Sequence, residues 1–520
     1  MRYKWEIGSR DDFPRYWNKT IIFLIFWLFV SFLILFSLPD RAWEIKFHGL
    51  IAIGILGFWR YSWFVLNVIN AVLYRYLIFP KYKKIAGTKF PKRVYFMIPS
   101  YKEDFEVSKQ VFTALVHEVY KISSEVYVYI SVGSKEEAEF IEKVVASNDY
   151  MNRINLTFLF QEHGKRVAMG HTLRAIARHF TFPLYWHPDY YNDVVVFMDG
   201  DTVLGKDCLL KTLPYFLAFP KLGAVTTDEA INYIGTNPLI FLWYKLKFAQ
   251  RHLFMCSHSL HKKVLTITGR LSIFRAPIVL SEEFIRYLEA DHLDHYLFGR
   301  FRFLMGDDKS TWYYLLKEGW DMLYIPDALA WSTEDRSRSF FKTTMSLMFR
   351  WYGNMLRNNW RAIKLGPRRI GSFFIWWAIV DQRISMWTTL VGPVGITLLS
   401  LFISPFYWAF YAVWVIWVRT IQILVLDLFS KLNPYIIHLI LLLYNQWVGA
   451  IIKIYASANL AKQRWAKGSS GQAVEIKIED FRRLRVALRY LIITFYVLLF
   501  IFFVGIYVGV FKFYIILIEF

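Results

Sequence analysis

The sequence is poor in cysteine, with only Cys208 and Cys256 in 520 residues. Two cysteines cannot form a disulfide framework, and neither lies in a recognisable metal-binding spacing. The sequence therefore demands no disulfide, and Cys208 is expected to be a plain buried thiol.

Acidic residues are also scarce, with 41 Asp and Glu against 62 Lys and Arg, so the formal net charge is +21. This excess favours a membrane protein whose cytoplasmic segments collect cations. Anionic ligands are the alternative explanation: a nucleotide diphosphate, lipid headgroups or an acidic polymer. Nucleic acid is not expected as a partner, because no nucleic-acid-binding motif accompanies the charge.

Several long segments almost lack charge. Residues 21–38 contain no charged residue, and residues 49–79 contain only Arg60 and Arg75. Each run is long enough for a helix that spans a bilayer. The first run has no small-residue cleavage site and a second run follows it, so it is not a cleaved signal peptide. Residues beyond about 385 are again mostly apolar.

These runs predict a cytoplasmic α/β domain inserted in an α-helical membrane bundle of about six spans. Cations before residue 20 favour a cytoplasmic N-terminus, and two spans return the chain to the cytoplasm at Lys81. The predicted segments are residues 1–80 with two transmembrane helices, 81–335 as the globular domain, 336–384 as amphipathic interfacial helices, 385–456 as transmembrane helices, 457–489 as a basic cytoplasmic segment, and 490–520 as a C-terminal transmembrane helix.

The sequence of residues 385–456 allows more than one number of membrane spans. Its runs 385–404, 406–428 and 434–456 read as three spans, which would leave the basic segment outside, against the positive-inside rule. We therefore expect two true spans here, with one interfacial run or a helix broken at Gly392-Pro393 or Pro405.

The globular domain shows apolar runs at 94–98, 126–132, 154–160 and 194–198, alternating with helical patterns at 103–120 and 165–180. Such alternation predicts a parallel sheet with right-handed crossovers. Ligands bind such sheets beyond the carboxyl ends of the strands. The residues directly after each run are therefore the candidates for function.

Asp199-Gly200-Asp201 follows the run 194–198. Two carboxylates one residue apart suit Mg²⁺ or Mn²⁺ bound to diphosphate oxygens, and the alternative is a simple turn. Residues 99–104 follow the first run and suit a nucleotide, or else a helix cap at Ser100 with a capping box from Glu103. Lys165 and Arg166 begin a helix, where they suit phosphate; the alternative is a solvated turn.

Two further motifs complete the set. Asp307 and Asp308 begin a predicted helix, where Asp308 suits a base that accepts the proton of an acceptor hydroxyl, or is only a cap. Arg350-Trp351 lies in an amphipathic helix. The arginine suits a diphosphate and the tryptophan a sugar ring, and the alternative is an aromatic membrane anchor.

Together these motifs resemble the family-2 processive membrane glycosyltransferases, the synthases of cellulose, hyaluronan, chitin and alginate. The resemblance implies a Rossmann-like GT-A domain, an inverting transfer from a nucleotide sugar, and Mg²⁺ or Mn²⁺ as cofactor. It implies metal binding by Asp199 and Asp201, and catalysis by Asp308 with Asp307. Implied nucleotide-sugar contacts are Pro99, Ser100, Tyr101, Glu103, Lys165, Asp199, Asp201 and Arg350. Implied acceptor contacts are Trp351, Gly269, Arg270 and Ser272, and Trp465 and Lys467 resemble a gating loop, for which an ordinary linker is the alternative.

Two positions depart from the family pattern. Leu347 replaces the glutamine expected three residues before Arg350, so one donor contact is missing or moved. Ser131-Val132-Gly133 stands where the family has two aspartates and a glycine. Recognition of the base is therefore expected to differ from that in uridine-nucleotide enzymes.

Residues 350–358 and 365–367, together with 381–387, resemble the alginate-polymerising branch of the family. That branch implies GDP-mannuronic acid as donor, β-1,4-mannuronan as product and translocation across a bacterial inner membrane. It also implies a separate cyclic-di-GMP-sensing PilZ subunit and periplasmic or outer-membrane export proteins as partners. The alternatives are another β-linked polymer, a non-processive transferase or a scaffold with an inactive domain. Arg60 and Arg419 are hypothesised to face a polymer channel, against buried ion pairs or snorkelling.

Overall fold

The computed structural model describes residues 6–101, 103–161, 164–182, 187–295, 299–302, 306–334, 339–460 and 482–511. The gating-loop prediction for Trp465 and Lys467 falls outside these residues.

An eight-stranded mixed sheet forms the centre of the globular domain, in the order β3-β2-β1-β4-β7-β6-β10-β5. Strands β1 to β4 pair in parallel, as the alternating pattern predicts, whereas β7 is antiparallel to both β4 and β6. A two-stranded sheet of β8 and β9 is separate. The strands are β1 (Arg93–Pro99), β2 (Glu125–Val132), β3 (Ile154–Phe160), β4 (Val194–Met198), β5 (Thr202–Leu204), β6 (Leu222–Tyr233), β7 (Leu271–Arg275), β8 (His292–His295), β9 (Gly299–Arg302) and β10 (Asp321–Glu334).

Helices cover the sheet and carry site residues at their first turns. They are α4 (Phe105–Val119), α5 (Lys135–Asn148), α6 (Lys165–Thr181), α7 (Cys208–Thr212), α8 (Tyr215–Ala218), α9 (Pro238–Ser259), α10 (Ala276–Val279), α11 (Glu282–Ala290) and α12 (Asp307–Lys317). Asp104 is the N-cap of α4, and its carboxylate accepts from the backbone N–H groups of Glu106 and Val107. The alternative of a cap at Ser100 is therefore wrong. Both cysteines are free and buried, as expected.

Six helices in the described part of the chain are long and apolar enough to cross a membrane, which agrees with the expected count of about six when helices are judged by length and composition. They are α1 (Trp17–Phe36), α2 (His48–Leu73), α14 (Phe373–Phe402), α15 (Tyr407–Ser430), α16 (Ile437–Ala458) and α17 (Arg482–Tyr507). A π turn continues α2 into α3 (Phe79–Ala86). The helix α14 runs unbroken through Pro393, so the proposed break at Gly392-Pro393 is wrong, and Pro405 lies between α14 and α15.

The amphipathic helix α13 (Phe340–Ile370) joins the globular domain to the membrane helices. It is kinked at Gly366, whose φ of 72° lies in the left-handed region, directly before Pro367. It packs against α12 of the globular domain and against α14 and α16 of the bundle. The site is therefore attached to the membrane helices through α13, and α9 of the globular domain also packs on α2, α15 and α16.

The N-terminal segment also packs on the globular domain. Arg10 Nε lies 2.6 Å from Asp228 Oδ2 in a buried ion pair, and Arg75 of the π turn pairs with Asp11 at 2.5 Å. The segment 1–80 is thus more than two spans, because its first turn is bound to β6 of the sheet.

Candidate active site

Four segments meet at the carboxyl edge of the sheet. Asp199 follows β4, Lys165 begins α6 and Asp307 begins α12. Lys165 Nζ lies 2.7 Å from Asp199 Oδ1 and 3.0 Å from Asp307 Oδ2. A Cβ on Gly269 would lie 3.4 Å from both Asp199 Oδ2 and Lys165 Nζ. We call Asp199, Lys165, Asp307 and Gly269 the carboxylate cluster.

Burial and mutual repulsion govern the protonation of the carboxylate cluster. Burial, with help from Asp201 and Asp307, raises the pKa of Asp199 to about 6 even though Lys165 opposes the shift. Burial also opposes ionisation of Asp307, but Lys165 and Arg166 outweigh it and lower the pKa of that carboxyl. The pKa values of these two carboxyl groups are thus shifted in opposite directions, which is typical of functional sites.

Asp308 lies beside the carboxylate cluster as the second residue of α12, and it is half-buried. Burial, followed by the charge of Asp307, raises its pKa. A raised carboxyl pKa suits a group that must accept a proton near neutral pH. Its position at a helix N-terminus also agrees with the simpler capping role, and both can hold together.

The two carboxylates of Asp199 and Asp201 test the expectation of a metal. No group of three or more His, Cys, Asp or Glu side chains suited to a metal ion occurs within the described ranges. Mg²⁺ in enzymes is commonly held by one or two carboxylates together with phosphate oxygens of the substrate. The residues therefore fit a divalent cation that arrives with a diphosphate, and they do not fit a cation cage made by protein alone.

The end of β1 brings together residues predicted to meet a nucleotide. Ser100 Oγ donates to Glu137 Oε1 at 2.6 Å, and both side chains are buried. A Cβ on Gly200 would lie 3.1 Å from Ser100, so a larger residue there would displace Ser100 by a few tenths of an ångström. Tyr101 is exposed, and its ring carbons lie 2.9 Å from where a Cβ on Gly133 would be.

The end of β2 therefore presents a glycine beneath an exposed tyrosine ring, with no carboxylate at Ser131 or Val132. Pro99 ends β1 half-buried, and Glu103 is half-buried just before α4. These residues lie on the same edge of the sheet as Asp199, because β1 pairs in parallel with β4.

An aromatic pair lies next to the second aspartate motif. The rings of Trp351 and Trp243 stack with centroids 5.6 Å apart and planes inclined by 1°. One turn along α13 from Trp351, the side chain of Asn354 lies 2.5 Å from where a Cβ on Gly306 would be. Gly306 has a φ of 94° and precedes Asp307, so both the left-handed backbone and the close approach require glycine.

The remaining predicted residues are buried or half-buried. Arg270 donates to Glu229 at 2.8 Å and to Ser332 at 2.7 Å, and it pairs with Glu334 at 3.3 Å. Burial disfavours its charge, but the two glutamates raise its pKa. Ser272 is buried in β7, where its hydroxyl donates to the carbonyl of Thr268. Arg350 is half-buried in α13, and Leu347 is buried in the apolar core.

Sequence reasoning missed Glu137, Trp243 and Asn354. Glu137 is the third residue of a helix whose N-cap is Ser134, so it reads as a first-turn acid. Trp243 and Asn354 reach the site only through long-range packing, and nothing in their local sequence marks them.

A mixed α/β sheet with carboxylates at the ends of its parallel strands and a lysine beside them, joined to apolar helices long enough to cross a membrane, defines a GT-A glycosyltransferase of the membrane. The chain belongs to the family described as glycosyltransferase like family 2, whose profile matches residues 91–354.

Two relatives share most of their length with this chain. It is 36% identical over 452 residues to glycosyltransferase alg8 of Pseudomonas syringae pv. tomato (strain ATCC BAA-871 / DC3000), covering 85% of this chain and 89% of that protein. It is 35% identical over 450 residues to glycosyltransferase alg8 of Azotobacter vinelandii, with the same coverage of each chain. A solved structure, mannosyltransferase PcManGT from Pyrobaculum calidifontis in complex with GDP-Man and Mn²⁺, aligns with a TM-score of 0.43 at 14% identity, covering 75% of this chain and 97% of that one.

Proposed function

We propose that the chain transfers mannuronate from GDP-mannuronic acid to a growing β-1,4-linked polymer, processively and with inversion, and passes the polymer across the bacterial inner membrane. The observation that carries the transfer is the carboxylate cluster, where Lys165 bridges Asp199 and Asp307. Support for the donor comes from the resemblance around Arg350 and Asp381 and from two relatives that bear the name glycosyltransferase alg8.

The residues divide the reaction between two sides of one site. Asp199 and Asp201 would hold Mg²⁺ or Mn²⁺, which supplies charge neutralisation for the departing diphosphate when bound. Lys165 would contact the diphosphate, and the raised pKa of Asp308 lets it take the proton from the acceptor hydroxyl. Trp351, stacked on Trp243, offers a flat surface for the acceptor sugar, and Arg350 offers a charge for the donor.

The base pocket supports a nucleotide other than a uridine nucleotide. The two aspartates that the resemblance places after β2 in uridine-nucleotide enzymes are absent here, where Ser131, Val132 and Gly133 stand instead. Tyr101 over Gly133 offers a ring for stacking, and a larger base gains more from that contact.

The proposal includes partners that the chain itself does not supply. Control by cyclic di-GMP would require a separate PilZ subunit, and release of the polymer would require periplasmic and outer-membrane export proteins. We propose a multi-pass inner-membrane protein with its catalytic domain in the cytoplasm, where sugar nucleotides are made.

The test is incorporation of labelled sugar by membranes that contain the protein. Radiolabelled GDP-mannuronate, UDP-glucose and UDP-N-acetylglucosamine are supplied separately, with and without the candidate partner subunit. Polymer labelled only from GDP-mannuronate is expected. Label from a uridine nucleotide would identify another β-linked polymer, a single added sugar would identify a non-processive transferase, and no label from any donor with the partner present would contradict a synthase.

A further inference from the structure

Two lysines from different helices lie together between the aromatic pair and the membrane helices. Lys247 of α9 has its Nζ 5.9 Å from the ring centroids of Trp351 and Tyr352. Lys453 of α16 has its Nζ 4.9 Å from the Tyr352 centroid and donates to Ser385 Oγ at 3.2 Å. We call Lys247, Lys453, Tyr352 and Trp351 the lysine cluster.

Carboxylates do not balance this cluster within the described part of the chain. The nearest one is Asp381 of α14, which attracts Lys453 but is already paired with Arg60 of α2. Lys247 has aromatic faces around its ammonium and Lys453 as its charged neighbour. Three cations thus share one carboxylate, and burial of unbalanced charge is costly.

Burial, together with the repulsion from Lys453, lowers the pKa of Lys247 to about 8. The strain of holding two ammonium groups together is relieved in one of two ways. Either Lys247 loses its proton, or an anion binds between the lysines. If an anion binds, it relieves the repulsion between the two lysines, and this relief contributes to affinity for an acidic ligand.

The position of the cluster identifies that ligand. Lys247 lies near the ring of Trp351 and Lys453 near that of the adjacent Tyr352, and the next turn of α13 contacts Gly306 beside Asp307. An acceptor sugar on Trp351 would therefore have its substituents, or those of the next unit, within reach of Lys247 and Lys453. A neutral glycan offers these cations no charge, whereas a uronate offers one carboxylate on every unit.

We propose that Lys247 and Lys453 form a carboxylate subsite that binds the acceptor end of an acidic glycan as it leaves Trp351 for the membrane helices. This inference rests on the proposed function and deepens it, because it assigns the preference for a polyuronate to residues outside the donor site. The Arg60–Asp381 pair lies close enough to act on Lys453, and Asp381 limits the positive charge there.

The test compares acidic and neutral acceptors on the full-length purified protein in nanodiscs. The probes are a β-1,4-mannuronate tetramer and the neutral tetramer obtained by reducing its carboxyl groups. The variants are Lys247→Gln and Lys453→Gln. The matched control is Lys245→Gln, on the same helix, where burial likewise lowers the pKa to about 8. Residues two apart on a helix do not share a face, so the control removes the same charge elsewhere.

Wild-type protein is expected to bind the mannuronate tetramer at least about tenfold more tightly than the neutral one, since buried charge pairs commonly contribute that much or more. Each test variant should lose most of this preference with little change for the neutral tetramer, and the control should keep it. Lys247→Arg and Lys453→Arg retain the charge and should keep the preference in part, so they remain informative if a glutamine variant does not fold.

A wild-type protein without the preference, or test variants that retain it, would overturn the inference. Failure of the proposed function has a different signature, since wild-type membranes would then incorporate no sugar from GDP-mannuronate. Incorporation with an intact preference in Lys247→Gln and Lys453→Gln would reject the subsite and leave the synthase standing.

Discussion

The carboxylate cluster and the lysine cluster lie at the two ends of the proposed acceptor path and hold opposite excesses of charge. In the first, Asp199 and Asp307 share the single ammonium of Lys165, with Asp308 beside them. In the second, Lys453 is attracted by Asp381, which is already paired with Arg60, and Lys247 has no carboxylate beside it among the described residues. Each cluster buries an excess of one charge that a ligand of the opposite charge would neutralise. That ligand is a cation at the carboxylate cluster and a uronate at the lysine cluster.

The comparison teaches that burial alone does not decide protonation in this molecule. Burial raises the pKa of Asp199, yet Lys165 and Arg166 reverse the same effect at Asp307. Lys247 has no such opposite neighbour, and its pKa falls to about 8. We expect a functional role for buried charged groups that have no opposite charge close enough to balance them.

The largest expected effect is loss of the base. Asp308→Asn should reduce sugar incorporation by about 10²–10⁴-fold, the usual contribution of a positioned proton acceptor, while nucleotide binding remains. Labelled polymer and nucleotide affinity are measured on the same membranes. Asp104→Asn is the matched control, because asparagine caps a helix as well as aspartate does. Retained activity in Asp308→Asn would exclude this residue as the base.

The next effect concerns the balance within the carboxylate cluster. Lys165→Gln leaves Asp199 and Asp307 without their shared cation and should lower the free energy of unfolding by about 3 kcal/mol, at the low end for breaking a buried ion pair. The deficit should shrink as the pH falls from about 8 to about 5, because protonation of one carboxylate relieves the repulsion. Thermal unfolding in detergent at several pH values measures it.

Lys109→Gln, an exposed lysine of α4, is the control for the change in net charge. A deficit in Lys165→Gln that does not depend on pH would mean that Lys165 acts by packing and not by charge.

A smaller effect should mark the lysine cluster. The charged groups facing Lys247 are Lys453 and, beyond it, the Arg60–Asp381 pair. A lowered lysine pKa means that the ammonium is present below about 8 and lost above it. The preference of the wild-type protein for the acidic tetramer should therefore weaken, by up to about tenfold, as the pH rises through this range. Lys247→Arg stays charged, so a pH dependence that persists in it would assign the titration to Lys453, the other lysine of the cluster.

The sequence predicted the carboxylate cluster better than the lysine cluster, and the reason is physical. The strand at 194–198 and its two following aspartates are local features, and the pairing of β1 with β4 brings the polar ends together by topology. The first turn of α12 is local too, so Asp307 and Asp308 were accessible. The prediction of Ser100 as a cap failed because Asp104 offers a better one three residues before Val107.

The lysine cluster depends on three helices far apart in the chain. Lys247 is one cation in an amphipathic pattern, and no local feature of α9 indicates that Lys453 will lie beside it. The same holds for Trp243, whose partner Trp351 comes from α13. Packing between helices, and not propensity, creates this site, so a single sequence contains little signal for it.

The last prediction concerns the side of the membrane from which introduced cysteines are labelled, and no change of activity is expected with it. The result decides whether the lysine cluster lies inside the bilayer or at its entrance. Asn433, before α16, accepts from the N–H of Tyr16 at 2.7 Å and donates to Pro14 at 2.9 Å. That N-terminal segment is bound to the catalytic sheet through Arg10 and Asp228. Leu460, after α16, accepts from Arg357 at 2.9 Å and packs with Leu293 of β8.

Both ends of α16 thus contact the catalytic side, although its length and composition suit a span. We predict that α16 does not cross the bilayer, which leaves two true spans between residues 385 and 456 and keeps the basic segment with the catalytic domain, in agreement with the positive-inside rule. An impermeant maleimide should label Tyr455→Cys from the same side as Lys84→Cys and from the opposite side to Asp40→Cys. Labelling of Tyr455→Cys together with Asp40→Cys would make α16 a span, and the lysine cluster would then lie inside the bilayer and not at its entrance.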